Sequence, residues 1–219
     1  MSEPDDAAAR LRRGPKLDPA GPEFWDLRFR EGFTPWDAGG VPAAVRTFLG
    51  RETRRLRVLI PGCGSAYEAR AFAAAGHDVV AIDFSAAAVE AARRVLGPLA
   101  HVLVRGDFFE FDRGAPFDLV YERAFLCALP RPHWPRWASR VAEVLGPGGR
   151  LAGFFFWDEV PGGPPFGLRA GELETLLAPA FDRVEDAPVA DSIPVFAGRE
   201  RWQVWRRRID ATDELPSTL

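Results

Sequence analysis

The feature that most restricts this chain is an alternation. Short apolar runs, several of them closing on a glycine or an acidic residue, alternate with stretches that carry apolar residues at helical spacing. Residues 56–60 form the first such run and end in Pro61-Gly62. A helix is predicted over 67–75, with Gly76 as its C-cap. A second strand, 78–82, ends on Asp83. Ser85 then caps a helix carrying Val89, Ala92, Val95 and Leu96 on one face, stopped by Gly97-Pro98. Residues 101–104 and 117–121 read as the third and fourth strands. The helix over 133–145 has Pro135 in its first turn and a stripe of Trp134, Trp137, Val141 and Val144, with Gly146-Pro147 as its stop. The unbroken apolar run 151–157 suits a buried central strand. A short helix, 172–178, and two strands, 181–187 and 201–207, complete the pattern. Such an order predicts an α/β fold, a doubly wound and mostly parallel seven-stranded sheet with an antiparallel edge strand supplied by a terminal hairpin.

Composition narrows the function classes. With 219 residues, of which 47% are hydrophobic, the chain is long enough for one core that buries roughly 70% of the unfolded surface. One domain over residues 21–208 is expected, between loose Ala-, Pro- and charge-rich tails at 1–20 and 209–219. The 28 basic and 31 acidic residues are interspersed, without the basic stripe of a nucleic-acid protein. No apolar segment approaches the ~20 residues of a membrane span, and no signal-peptide pattern opens the chain. Two cysteines, Cys63 and Cys127, build neither a disulfide framework nor a metal spacing. The expectation is a cytoplasmic monomer acting on a small molecule, with no metal, nucleic-acid or membrane partner.

In open α/β sheets ligands bind outside the carboxyl ends of the strands, so the chemistry should lie there. After the first strand, Gly62 and Gly64 permit close backbone approach, and the following helix offers free N–H groups. Asp83, ending the second strand, suits the hydroxyls of a ribose. A dinucleotide fingerprint requires a third glycine where Tyr67 stands, which disfavours NAD. Asp107 and Phe108, in Gly106-Asp107-Phe108-Phe109, offer a carboxylate and a ring to a base. Arg123 follows the fourth strand in Tyr121-Glu122-Arg123. The histidines His77, His101 and His133 are scattered and read as surface or capping residues, and no Ser-His-Asp set or nucleophile elbow can be assembled.

Together, Phe24-Trp25-Asp26, Gly32-Phe33-Thr34-Pro35-Trp36-Asp37, Ile60-Pro61-Gly62-Cys63-Gly64, Asp83, Gly106-Asp107-Phe108-Phe109, Tyr121-Glu122-Arg123-Ala124 and Leu145-Gly146-Pro147-Gly148-Gly149 resemble the thiopurine S-methyltransferase family, which includes thiol and halide methyltransferases. The resemblance spans nearly the whole chain between the tails. It implies a sheet of the class I methyltransferase (Rossmann-like) type and S-adenosyl-L-methionine as cofactor, with S-adenosyl-L-homocysteine as product. It also implies an N-terminal lid over about 22–40, with Trp25 and Trp36 against the sulfonium. Gly62 and Gly64 then lie under the amino-acid end, Asp83 at the ribose, Asp107 and Phe108 at the adenine, and Arg123 toward cofactor and acceptor. Relatives often carry a second tryptophan four residues after the first; here Phe29 keeps the aromatic face without the indole donor.

A permanent sulfonium is stabilised by aromatic faces, and an acceptor that is already an anion needs no strong base. A cation such as Arg123 would raise the thiolate fraction of a thiol at neutral pH. The expected activity is therefore methyl transfer to a small soft nucleophile, foremost a thiol. A halide or small-acid O-methyltransferase, and a cofactor-binding protein without turnover, are the alternatives. Phe33, Phe125, Phe155, Phe156, Trp157 and Phe166 supply aromatic surface for an apolar acceptor pocket near the ends of the fourth and fifth strands, several of them belonging also to the core, and Cys127 is a candidate to face it or to be buried structurally.

Overall fold

The computed structural model describes residue 11, residues 16–112 and residues 114–209. Most of the two expected tails lies outside these residues. The described end of the first is tied down: Gly21 N donates to Asp18 O at 3.0 Å, and the Trp25 indole donates to Pro19 O at 2.8 Å.

Thirteen strands and α-helices follow in order among the described residues: α1 (Pro22–Arg30), α2 (Ala43–Arg51), β1 (Arg57–Pro61), α3 (Tyr67–Ala74), β2 (Asp78–Asp83), α4 (Ala86–Leu96), β3 (Leu103–Arg105), β4 (Phe117–Arg123), α5 (Trp134–Val144), β5 (Leu145–Phe156), α6 (Glu172–Leu177), β6 (Phe181–Pro188) and β7 (Glu200–Arg207). They build one seven-stranded sheet in the order β3-β2-β1-β4-β5-β7-β6. The first five strands are parallel, and β7 runs antiparallel between β5 and β6, so the hairpin closes that side of the sheet. The reversal of order between β1 and β4 opens a crevice at their carboxyl ends.

Side-chain alternation sends the two faces of the sheet into two cores. Leu59, Val120, Leu151 and Phe155 meet Trp134, Trp137, Val141 and Val144 of α5 and Leu173 and Leu177 of α6. On the other face, Val58, Ile60, Leu119, Tyr121 and Phe154 meet Val45 of α2, Ala69 and Phe72 of α3 and Ala92 and Leu96 of α4. The α5 stripe is as expected, and Ser85 Oγ accepts from Ala88 N at 3.1 Å at the start of α4.

The structure differs from the sequence expectation at several points. Residues Gly97–Val102 continue past α4 as a 3-10 turn, which moves the third strand to Leu103–Arg105. Gly146-Pro147, expected only to stop α5, already belongs to β5, because Leu145 pairs with Phe117 of β4 before a bulge. Helices α1 and α2 were not among the expected elements; α2 seats Val45, Phe48 and Leu49 on the second core, and α1 is held through Asp26 at the start of α4. His77 is buried rather than a surface residue: its Nδ1 accepts from Leu56 N at 3.2 Å, and burial lowers its pKa.

Candidate active site

A cleft of about 290 Å³ lies over the carboxyl ends of β1, β2, β3 and β4. All nine residues singled out from the sequence line it: Trp25, Phe29, Trp36, Gly62, Gly64, Asp83, Asp107, Phe108 and Arg123. Its floor is the turn after β1. Gly62 and Gly64 have φ of 56° and 51°, in the left-handed region, and a Cβ on Gly62 would overlap the Phe125 ring. Only a glycine leaves that space to ring and ligand. Ala66 and Ala124, which also line the cleft, are the two non-glycine residues with positive φ among the described residues, a conformation that costs roughly 1–2 kcal/mol each.

Asp83 is held from both sides of this turn. Its Oδ2 accepts from Gly64 N at 3.0 Å and its Oδ1 from Ser85 N at 2.9 Å. Burial nevertheless pushes its carboxyl up to about 6, with the Asp26 charge adding to the rise and the two backbone donors opposing it. Asp107 is exposed and accepts from Phe109 N at 2.8 Å. Phe108 is buried beside it, edge-on to Phe109 and Phe125 at 5.3 and 5.5 Å.

The roof is the N-terminal segment. Trp25 and Trp36 meet edge-to-face at 5.4 Å, and Phe29 meets Trp36 at 6.0 Å. Phe29 also sits over the glycine turn, 3.6 Å from where a Cβ of Gly64 would be. Two carboxylates fasten this aromatic plate. Asp26 Oδ1 accepts from Ser85 Oγ at 2.6 Å and Ala87 N at 2.9 Å at the start of α4, where a negative charge is favoured. Asp37 Oδ2 accepts from Ser65 Oγ at 2.5 Å in the glycine turn. Neither carboxylate was assigned a role from the sequence. The signal was present in both cases, an acid one residue after a tryptophan.

At the end of β4, Arg123 is nine-tenths buried over the Phe154 ring at 4.4 Å. Its Nε lies 3.7 Å from Glu68 Oε1, and its Nη1 is buried without a hydrogen-bond partner among the described residues. Glu122, on the opposite face, accepts from Phe125 N and Leu126 N at 3.0 Å each and shapes the turn that carries Phe125. Burial raises its carboxyl to about 7.

The expected acceptor pocket needs correction. Phe33 and Phe125 line the cleft, but Phe155, Phe156, Trp157 and Phe166 do not. Phe155 is in the core, Trp157 and Phe166 pack against it, and Phe156 packs with Phe196 and Cys127. Phe155 and Phe156 point to opposite faces of β5 and both are buried, while Trp157 and Phe166, beyond the strand, pack against the core that holds Phe155. The cleft is completed instead from loops, by Pro164, Pro165, Val195 and Phe196, together with Arg28 and His133. Cys127 is buried, yet borders the cleft, and burial pushes its thiol and that of Cys63 up. Among the described residues, no cluster of His, Cys, Asp and Glu side chains is arranged to hold a metal ion, and no helix is long and apolar enough to cross a membrane.

Comparison with known proteins meets this geometry. The model of the thiopurine S-methyltransferase family matches residues 20–208. The chain is 31% identical over 192 residues to probable thiol methyltransferase 2 of Arabidopsis thaliana, covering 84% of each chain. It is 30% identical over 190 residues to thiocyanate methyltransferase 1 of Brassica oleracea, again covering 84% of each. Among solved structures it superposes on Burkholderia thailandensis 1,6-didemethyltoxoflavin-N1-methyltransferase, which holds 1,6-didemethyltoxoflavin and S-adenosylhomocysteine. The TM-score is 0.67 at 21% identity, over 95% of this chain and 92% of that one, a likeness of fold.

Proposed function

This chain belongs to the thiopurine S-methyltransferase family, and from that premise we propose that its cleft methylates the sulfur of a small organic thiol. It is an S-adenosylmethionine-dependent methyltransferase; the acceptor and the residue roles are our reading. Bound there, S-adenosylmethionine supplies a methyl group already activated on a sulfonium cation. The residues present suit it. The rings of Trp25, Phe29 and Trp36 offer negative faces to a permanent cation, worth roughly 0.5–2 kcal/mol each. Gly62 and Gly64 leave the backbone bare, Asp83 offers its remaining lone pairs to ribose hydroxyls, and Asp107 and Phe108 border the base.

The observation that carries the acceptor reading is the buried Nη1 of Arg123, a cation with an unused donor in a cleft walled by aromatic and proline side chains. Its guanidinium stays protonated at any working pH, so it stabilises an arriving thiolate rather than removing a proton. The apolar walls suit a thiol with an organic body; a bare halide would leave them unused. Holding the two partners in line in a dry site contributes roughly 7–11 kcal/mol. The segment 22–40 acts in this reading as the lid that excludes water. A cytoplasmic monomer with a small-molecule acceptor belongs to the same reading.

The test is product formation with isotopically labelled S-adenosylmethionine and three acceptors: an aromatic thiol, iodide and a small carboxylic acid. The thiol should be methylated fastest, and Arg123→Ala should lose more turnover at pH 6 than at pH 9, where free thiolate is abundant. Methylation of iodide or the acid alone would overturn the thiol reading, as would a pH-independent defect for the Arg123 role.

A further inference from the structure

Glu68, the partner of Arg123, lines the same cleft, four residues beyond Gly64 in the first turn of α3. Its side chain is only 14% exposed. It faces Arg123 Nε at 3.7 Å and receives the Tyr121 hydroxyl at 3.2 Å, both from β4. From the lid it faces the charge of Asp37, and from the glycine turn the thiol of Cys63. The carboxylate thus holds one ion pair at 3.7 Å and hydrogen bonds from the Tyr121 hydroxyl and its own backbone N–H, which leaves acceptor capacity on its two oxygens for a further donor. Burial raises the Glu68 carboxyl, and Arg123 opposes that rise only in part.

We propose that Glu68 is the anion that receives the α-ammonium of the cofactor's amino-acid end. The side chains divide the cofactor's two cations between them. The sulfonium has no N–H and is suited to the rings of Trp25, Phe29 and Trp36. An ammonium is a compact triple donor and requires an acceptor. The glycine turn, over which the amino-acid end is read to lie, passes directly into the helix that carries Glu68. Arg123 Nη1 stays free for negative charge.

This inference rests on the cofactor reading above and is tested by binding, without turnover. Calorimetry would compare S-adenosylhomocysteine, its deaminated analogue, which keeps the carboxylate, and 5′-methylthioadenosine, which lacks the whole amino-acid end. On the unaltered protein, S-adenosylhomocysteine should bind roughly tenfold or more tighter than the deaminated analogue. Glu68→Gln should reduce that ratio to within about twofold while leaving 5′-methylthioadenosine affinity unchanged, and Glu68→Asp should restore part of it. A Glu68→Gln protein that weakens all three ligands equally would make Glu68 a structural partner of Arg123 and Tyr121 only, and so would an unchanged ratio. Should neither variant fold, equal affinity of the unaltered protein for S-adenosylhomocysteine and its deaminated analogue overturns the proposal by itself. Failure of every ligand to bind would instead sink the cofactor reading.

Discussion

The two ends of the cleft are built differently. Toward the glycine turn the walls are strand ends locked by the backbone: Asp83 takes Gly64 N and Ser85 N, and Glu122 takes Phe125 N and Leu126 N. Toward the end that we propose receives the acceptor, the walls are side chains of the N-terminal segment and two loops, among them Phe33, Trp36, Pro164, Pro165 and Val195. A wall made by main-chain hydrogen bonds tolerates little change, because an unmade buried bond costs its full desolvation. A wall made by loop side chains can be resized with small consequences elsewhere. Cofactor binding and acceptor choice should therefore be separable by mutation.

The largest effect is expected at Gly62→Ala. A left-handed φ costs a Cβ-bearing residue roughly 1–2 kcal/mol, and overlap with Phe125 adds roughly 1–3 kcal/mol of overpacking. Thermal unfolding should shift down and S-adenosylhomocysteine titration should show almost no binding. Full affinity in this variant would mean that the turn is not the floor of the ligand site.

A smaller, pH-dependent effect is expected at Asp83. Its carboxyl, near 6 in the fold, lies above its ordinary 3.8. The native state therefore keeps a proton that the unfolded chain loses between these values. Its contribution to stability is fully present below 3.8 and falls as pH rises toward about 6. Ligand affinity should run the other way, weakening as pH falls through about 6, because the ionised carboxylate is the better acceptor for ribose hydroxyls. At pH 7.5, Asp83→Ala should weaken binding by roughly 1–3 kcal/mol. Calorimetry at pH 5 and 7.5 checks the sign, and Asp83→Asn should flatten the difference.

The smallest effect on the cofactor should come from the loop wall. Val195→Ala should leave S-adenosylhomocysteine affinity within about twofold while raising the KM for an aromatic thiol by up to roughly tenfold, at about 0.8 kcal/mol per buried methylene. Steady-state kinetics beside calorimetry decides it. Equal loss in both would erase the proposed division between the two ends.

The same division separates what was legible in the sequence from what was not. Backbone-built features leave local marks: a strand must alternate or run apolar, a turn with positive φ favours glycine, and a helix start favours a capping oxygen. Hence the succession of strands and helices, the Ser85 cap, the stripe of α5 and the strand-end positions of Gly62, Gly64, Asp83, Asp107, Phe108 and Arg123 could be read along the chain, whereas Trp25, Phe29 and Trp36 entered only through the family resemblance. Long-range partners leave no such mark. Asp26 reaching α4, Glu68 reaching Arg123 from a different element, and Phe155 turning away from the cleft while Val195 turns toward it depend on which elements end up side by side. Sequence by itself determined the sheet and its turns, because those follow from local sterics and hydrogen bonding. Only the tertiary structure decided which loop side chains complete the cleft and that Glu68 pairs with Arg123, because those energies arise between residues that the chain places far apart.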